Sequence, residues 1–226
     1  MSKRRIKRLK DTYLIPLILV ISSFLIVSFT KSSFFSFLIL TTGLLNGWYA
    51  GLGKWYNYAY GAVFAIINSY VSWQSHLYGI ACLSALLYFP LQIQGMVDWH
   101  TRKNKNSEVK VRGFNTKTSI LITICCFAGS VALGSILTKI PGQELAFLDA
   151  TSNAINICAI ILMNLRFREC WWVLLGNNVA DLAIWIINFS NQTPNSLMML
   201  IVSIGYLGLN IIGLLKWEKI KNKRRH

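Results

Sequence analysis

The chain has 226 residues, 54% hydrophobic and only 14% charged, with mean hydropathy +0.47 and a net charge of +15. Soluble domains carry about 25% charged residues, so the composition excludes an ordinary soluble globule and indicates a membrane protein. Its basic residues cluster in short segments between apolar runs, not on a face interleaved with aromatics, which argues against nucleic acid and for a lipid bilayer as the partner.

A membrane-spanning helix needs roughly 17–25 mainly apolar residues. The basic start MSKRRIKRLK precedes an apolar run with no small-residue cleavage site after it, so Tyr13–Thr30 reads as a retained first span, not a signal peptide. Further spans follow at Ser33–Leu52, Tyr56–Ser72, His76–Trp99, Lys117–Leu137, Leu145–Leu165, Trp171–Phe189 and Asn195–Trp217. The third is the weakest, punctuated by Gly61 and Asn68. Unpaired backbone groups are intolerable in hydrocarbon, and the runs are too long and too continuously apolar for barrel strands. The expected fold is an all-α membrane protein with eight transmembrane helices.

An even number of spans puts both termini on one side, together with the loops after spans two, four and six. That side holds 21 of the 23 Lys and Arg residues; only Lys31 and Lys139 fall opposite. Positive charge resists translocation, so both termini are expected in the cytoplasm and the protein in the cell membrane.

Residues 118 positions apart match beyond what apolar helices share by default. Tyr88 pairs with Tyr206, Gln92 with the amide Asn210, Gly95 with Gly213, and Trp99 with Trp217. The repeat joins spans two to four with spans six to eight in parallel orientation, an arrangement of transporters with a substrate site near the midplane. The expected divisions are 1–32 (basic N-terminus and extra first span), 33–99 (first three-helix repeat) and 100–140 (basic cytoplasmic loop and linker helix). A second three-helix repeat over 141–217 and a basic cytoplasmic tail over 218–226 complete them.

Span seven, WWVLLGNNVADLAIWIINF, carries an aspartate where an ionisable group costs at least about 2.5–3.5 kcal/mol on insertion scales. Trp171, Leu174, Asn178, Asp181, Trp185 and Asn188 follow steps of three and four, along one side of a helix. Asn177 lies beside that stripe. Tyr88, Gln92 and Gln94 in span four, Tyr206 and Asn210 in span eight, and Asn68 in span three complete the candidate substrate-binding set. Isolated amides also serve as interhelical glue. Tryptophans at span ends, namely Trp48, Trp55, Trp73, Trp99 and Trp217, are expected as interfacial anchors. A lining of aromatics, amides and one carboxylate suits a flat, cationic or neutral nucleoside-like solute, whereas few basic groups reach membrane depth to hold a phosphate.

The five cysteines lack metal-ligand spacing, the three histidines sit at span ends or in the tail, and no carboxylate pair forms. No metal, cofactor or catalytic residue is expected, and a membrane-embedded enzyme is the weaker reading. No G-x-x-x-x-G-K-[ST] motif occurs either.

From Thr41 to Trp217 the chain resembles the PnuC vitamin transporters, relatives of the SWEET sugar transporters. The resemblance is carried by LYGIACLSALLYFPLQIQGMVDW, FLDATSNAINICAIILMNLRFRECWW and WWVLLGNNVADLAIWI. The family's Trp-x-x-Trp-x-x-x-Asn motif matches Trp171 at its first position and Asn178 at its last. Leu174 replaces the second tryptophan, and Trp172 stands next to the first. The resemblance implies a SWEET-like fold, a homotrimer, and import of nicotinamide riboside by facilitated diffusion, trapped inside by phosphorylation. Relatives carrying thiamine, riboflavin or deoxynucleosides, and SWEET-type sugar carriers, are the alternatives it leaves.

Overall fold

Apolar runs in lipid satisfy their backbone groups internally, and the computed structural model, which describes residues 10–101, 113 and 116–222, forms helices throughout. Among the described residues there are eight helices and no strand. They are α1 (Lys10–Phe29), α2 (Phe34–Gly51), α3 (Asn57–Gln74) and α4 (Tyr78–Thr101), then α5 (Thr116–Leu137), α6 (Ala146–Asn164), α7 (Cys170–Ser190) and α8 (Ser196–Asn222). The basic clusters over 3–8, 102–112 and 223–225 lie outside the described residues.

Each helix falls on one of the eight expected spans, but among the described residues six are long and apolar enough to cross a membrane. α2 and α3 do not reach that mark, each with 18 residues including polar or glycine positions such as Asn46, Gly47, Asn57 and Asn68. The reason lies in their neighbours. α2 is buried along nearly its whole length by protein, so lipid does not dictate its composition. α1 and α5 show the converse: large apolar side chains such as Leu17, Phe24, Leu121 and Phe127 are exposed.

Consecutive helices pack on one another from α1 to α4 and from α5 to α8. α8 then packs against α2, and α4 against α6, so that α2, α3, α4, α6, α7 and α8 form a closed ring. α1 lies outside against α2, and α5 outside against α6. α4 and α8 both run towards the end of the bundle that carries Lys54, His100 and Arg168, called here the basic end. There Trp55 meets His100 with ring centroids 4.7 Å apart, and Arg168 pairs with Glu218 at 2.6 Å.

Five helices end in the same way. After α1, α2, α3, α6 and α7 the chain turns through a left-handed residue: Lys31, Gly53, His76, Arg166 and Gln192. The next N–H reaches back to the helix, as Ser32 N–H does to Val27 O at 3.1 Å and Phe167 N–H to Leu162 O at 2.9 Å. These are Schellman ends, which satisfy carbonyls left free by the last turn. α4 has a different irregularity. Over Ser84–Tyr88 it widens to a π turn, with Phe89 N–H bonded to the Ser84 carbonyl. Pro90, which lacks an N–H, follows directly, and a π turn of this kind often marks a functional segment.

The span-end tryptophans divide. Trp73 is exposed, as an interfacial anchor would be, whereas Trp48, Trp99 and Trp217 are 6%, 0% and 1% exposed and belong to the protein interior. Helix ends supply the physical reason, because their last carbonyls need donors. Trp99 Nε1 donates to Asn164 O at 3.3 Å, at the end of α6, and Trp217 Nε1 donates to Ala50 O at 3.2 Å, at the end of α2. Trp48 Nε1 donates to Asp11 O at 2.8 Å and so ties α1 to the ring.

Candidate functional site

The ring helices enclose a cavity of about 150 Å³ to which all six contribute side chains. Helical spacing explains the convergence. Positions three and four apart share a face, and in each ring helix that face is where polar residues interrupt the apolar pattern. α7 presents Trp171, Leu174, Asn177, Asn178, Asp181 and Trp185; α4 presents Ser84, Tyr88 and Gln92; α8 presents Ser203, Tyr206 and Asn210. Asn68 lines the cavity from α3. Ten of the eleven candidate residues thus meet around one space. Gln94 does not: two positions beyond Gln92 on the helix, it faces outward and is exposed.

Among the described residues, Asp181 is the only ionisable acid or base lining the cavity apart from the tyrosines. Its carboxylate is held by two neutral donors, Ser152 Oγ at 2.5 Å and Asn177 Nδ2 at 2.8 Å. Among the described residues no lysine, arginine or histidine lines the cavity. The site therefore attracts positive charge and repels negative charge, and a low-dielectric setting strengthens both effects.

Other lining groups bond to one another. Asn210 Nδ2 donates to Asn178 Oδ1, linking α8 to α7. Tyr88 OH donates to Asn153 Oδ1 at 2.8 Å, and Asn68 Nδ2 to Ser84 Oγ at 3.0 Å. Several do not. Asn57 Oδ1, Asn68 Oδ1, Gln92 Oε1, Asn177 Oδ1, Tyr58 OH and Trp171 Nε1 are buried without a hydrogen-bond partner among the described residues. Four of these six are pure acceptors. A buried polar group without a partner costs free energy, so this set is suited to a guest that brings its own donors. Room for two of the amides comes from Gly61, where an added Cβ would stand 2.5 Å from Gln92 Oε1 and 2.7 Å from Asn46 Nδ2.

The sequence reading passed over part of this lining. Asn46, Tyr58, Ser152, Asn153 and Asn156 are all present, and Ser152, Asn153 and Asn156 were visible as a polar patch in an apolar run. It also passed over Asp149, which is fully buried. Asp149 accepts from Gly79 N–H and Ile80 N–H, both at 3.0 Å, from Gln143 Nε2 at 2.8 Å and from Asn153 Nδ2 at 2.6 Å. α4 begins after Leu77, which has no side-chain cap, so a carboxylate from α6 takes the free N–H groups instead. The absence of a capping side chain before Tyr78 was the available signal.

Comparison with known proteins follows the same outline. A family model described as nicotinamide mononucleotide transporter matches residues 33–219, beginning after α1. The nicotinamide riboside transporter PnuC of Neisseria mucosa is 27% identical over 197 residues, covering 85% of this chain and 74% of the relative. The protein of the same name from Haemophilus influenzae is 25% identical over 194 residues, covering 84% of this chain and 82% of the relative. The crystal structure of the vitamin B3 transporter PnuC matches the fold with a TM-score of 0.81 at 25% identity, over 92% of this chain and 90% of that one.

Proposed function

The chain belongs to the nicotinamide mononucleotide transporter family, and on that premise we propose that it imports nicotinamide riboside by facilitated diffusion. The guest is held in the cavity near the midplane of the cell membrane, and phosphorylation in the cytoplasm traps it. The observation that carries this reading is the lining itself: among the described residues it has one carboxylate, no basic side chain, and a surplus of buried acceptors. Nicotinamide riboside offers a cationic pyridinium, a carboxamide and sugar hydroxyls, which match those groups one class at a time. Its 5′-phosphate would bring negative charge next to Asp181 with no cation to receive it, so the nucleoside fits and the nucleotide does not. Trp185 supplies an aromatic face beside Asp181 and Trp171 one towards the sugar, and Tyr88, Gln92, Tyr206, Asn210, Asn68, Asn177 and Asn178 supply the hydrogen bonds.

In this reading all eight helices cross the membrane, α2–α4 and α6–α8 are parallel repeats, and the two units rock against each other to give alternating access. The reciprocal bonds of Trp99 and Trp217 to the other unit's helix ends favour this division. Both termini are placed in the cytoplasm, and the assembly is a homotrimer as the resemblance implies.

The reading is tested with purified protein in liposomes. Labelled nicotinamide riboside should equilibrate down its gradient, unaltered and without ATP, while nicotinamide mononucleotide stays out. Background flux of nicotinamide riboside alongside passage of thiamine, riboflavin, a deoxynucleoside or glucose would reassign the substrate. Chemically altered guest would point to an enzyme.

A further inference from the structure

Tyr58, the second residue of α3, has the same surroundings as Trp171, the second residue of α7. The Trp171 indole lies against the α8 backbone at Gly213, where an added Cβ would stand 2.7 Å from Cε3. The Tyr58 ring lies against the α4 backbone at Gly95, where an added Cβ would stand 2.6 Å from Cζ. Trp171 meets Trp217 edge-on with centroids 5.5 Å apart, and Tyr58 meets Trp99 edge-on at 5.0 Å. Gly95 and Gly213, like Trp99 and Trp217, are 118 positions apart. The correspondence continues along the helices: Tyr58, Gly61 and Ala65 line the cavity at the spacing of Trp171, Leu174 and Asn178.

What distinguishes Tyr58 is its hydroxyl. The residue is 2% exposed, lines the cavity, and its OH has no partner among the described residues. A hydroxyl buried in this way is unfavourable, and phenylalanine would fill the same space without that cost. A structural role for the ring therefore leaves the oxygen unexplained, whereas a partner arriving with the guest explains it.

We infer that Tyr58 is a substrate-reading residue, its hydroxyl bonding a sugar hydroxyl of the guest. Asp181 follows Trp171 by ten residues, about 15 Å along the helix axis. Tyr58 and Trp171 share one buried cluster at the basic end, so the guest lies along the helices, with its cationic ring at Asp181 and its sugar towards Tyr58. Asn57 Oδ1 and Gln92 Oε1, also unpartnered, stand ready to accept from the remaining hydroxyls. This inference rests on the reading of the cavity as a nucleoside site.

The test uses the full chain in detergent, with binding of nicotinamide riboside and its 2′-, 3′- and 5′-deoxy analogues measured for the parent and for Tyr58→Phe. The affinity of Tyr58→Phe for nicotinamide riboside should fall about five- to tenfold, the size expected for one hydrogen bond. One deoxy analogue, the one lacking the bonded hydroxyl, should bind both proteins alike. The melting temperature of ligand-free Tyr58→Phe should equal or exceed that of the parent. Equal affinity of both proteins for nicotinamide riboside, an equal loss with every deoxy analogue, or a lowered ligand-free melting temperature with affinity retained overturns the assignment. Failure of the parent itself to bind any of these nucleosides overturns the nucleoside reading as well.

Discussion

At the scale of single residues, the two buried aspartates show how one side-chain type serves two purposes. Asp181 accepts from only Ser152 and Asn177 and faces the cavity; Asp149 has four donors and faces a helix end. Their substitutions should separate accordingly. Asp181→Asn keeps the shape but removes the charge, so affinity for a cationic nucleoside should fall by about 2 kcal/mol, roughly thirtyfold. Isothermal titration against a neutral isostere supplies the control, and an equal loss for both guests sinks the electrostatic role. Asp149→Ala should instead lower stability by about 2–3 kcal/mol, since it strands the Gly79 and Ile80 N–H groups and takes one acceptor from each of two amides. A melting temperature unchanged in detergent would count against that account. The stripe of α7 was legible in the sequence because a carboxylate in an apolar run requires an explanation. Tyr58 was not, because a tyrosine at a span end has ordinary interfacial reasons to be there.

At the scale of helices, close approach governs where side chains are tolerated. At Gly213 an added Cβ would meet the Trp171 ring within 2.7 Å, and one added at Gly51 would stand 3.3 Å from the Gly213 Cα, so α8 is pressed against both α7 and α2. Gly208 has nothing within 4 Å. Gly213→Ala should therefore destabilise the protein by about 1–3 kcal/mol through overpacking, while Gly208→Ala should be neutral or stabilising by up to about 1 kcal/mol. Thermal melts of the two variants side by side check the contrast, and equal melting temperatures would contradict it. The helices themselves could be read from apolar length, within a few residues at each end. Their terminations were less evident: of the five left-handed end residues only Gly53 is a glycine. Lys31, His76, Arg166 and Gln192 adopt that conformation because the Schellman bonds and the following helix require it, not because their side chains favour it.

At the scale of the molecule, the ring and its two outlying helices divide the work. No residue of α1 lines the cavity, and the family match begins at residue 33. α1 is tied to α2 by Trp48 Nε1 to Asp11 O and Tyr49 OH to Thr12 O at 3.2 Å. A chain lacking residues 1–31 should melt at a lower temperature yet still be stabilised by nicotinamide riboside, because ligand linkage depends on the cavity alone. Loss of that ligand-induced shift in a chain that remains folded and monodisperse would give α1 a part in binding. By itself the sequence determined that the chain is helical and membrane-bound, where its helices lie, and which of them carry polar faces. Solvent-transfer energetics act locally, over one helix length and one helical period, so these features are written in consecutive residues. Only the tertiary structure decided that α4 closes on α6 and α8 on α2, that Trp99 and Trp217 turn inward to cap the opposite helix ends, and that Gln94 points away. Those outcomes depend on carbonyls, glycines and neighbours more than fifty positions distant, and no local periodicity records them.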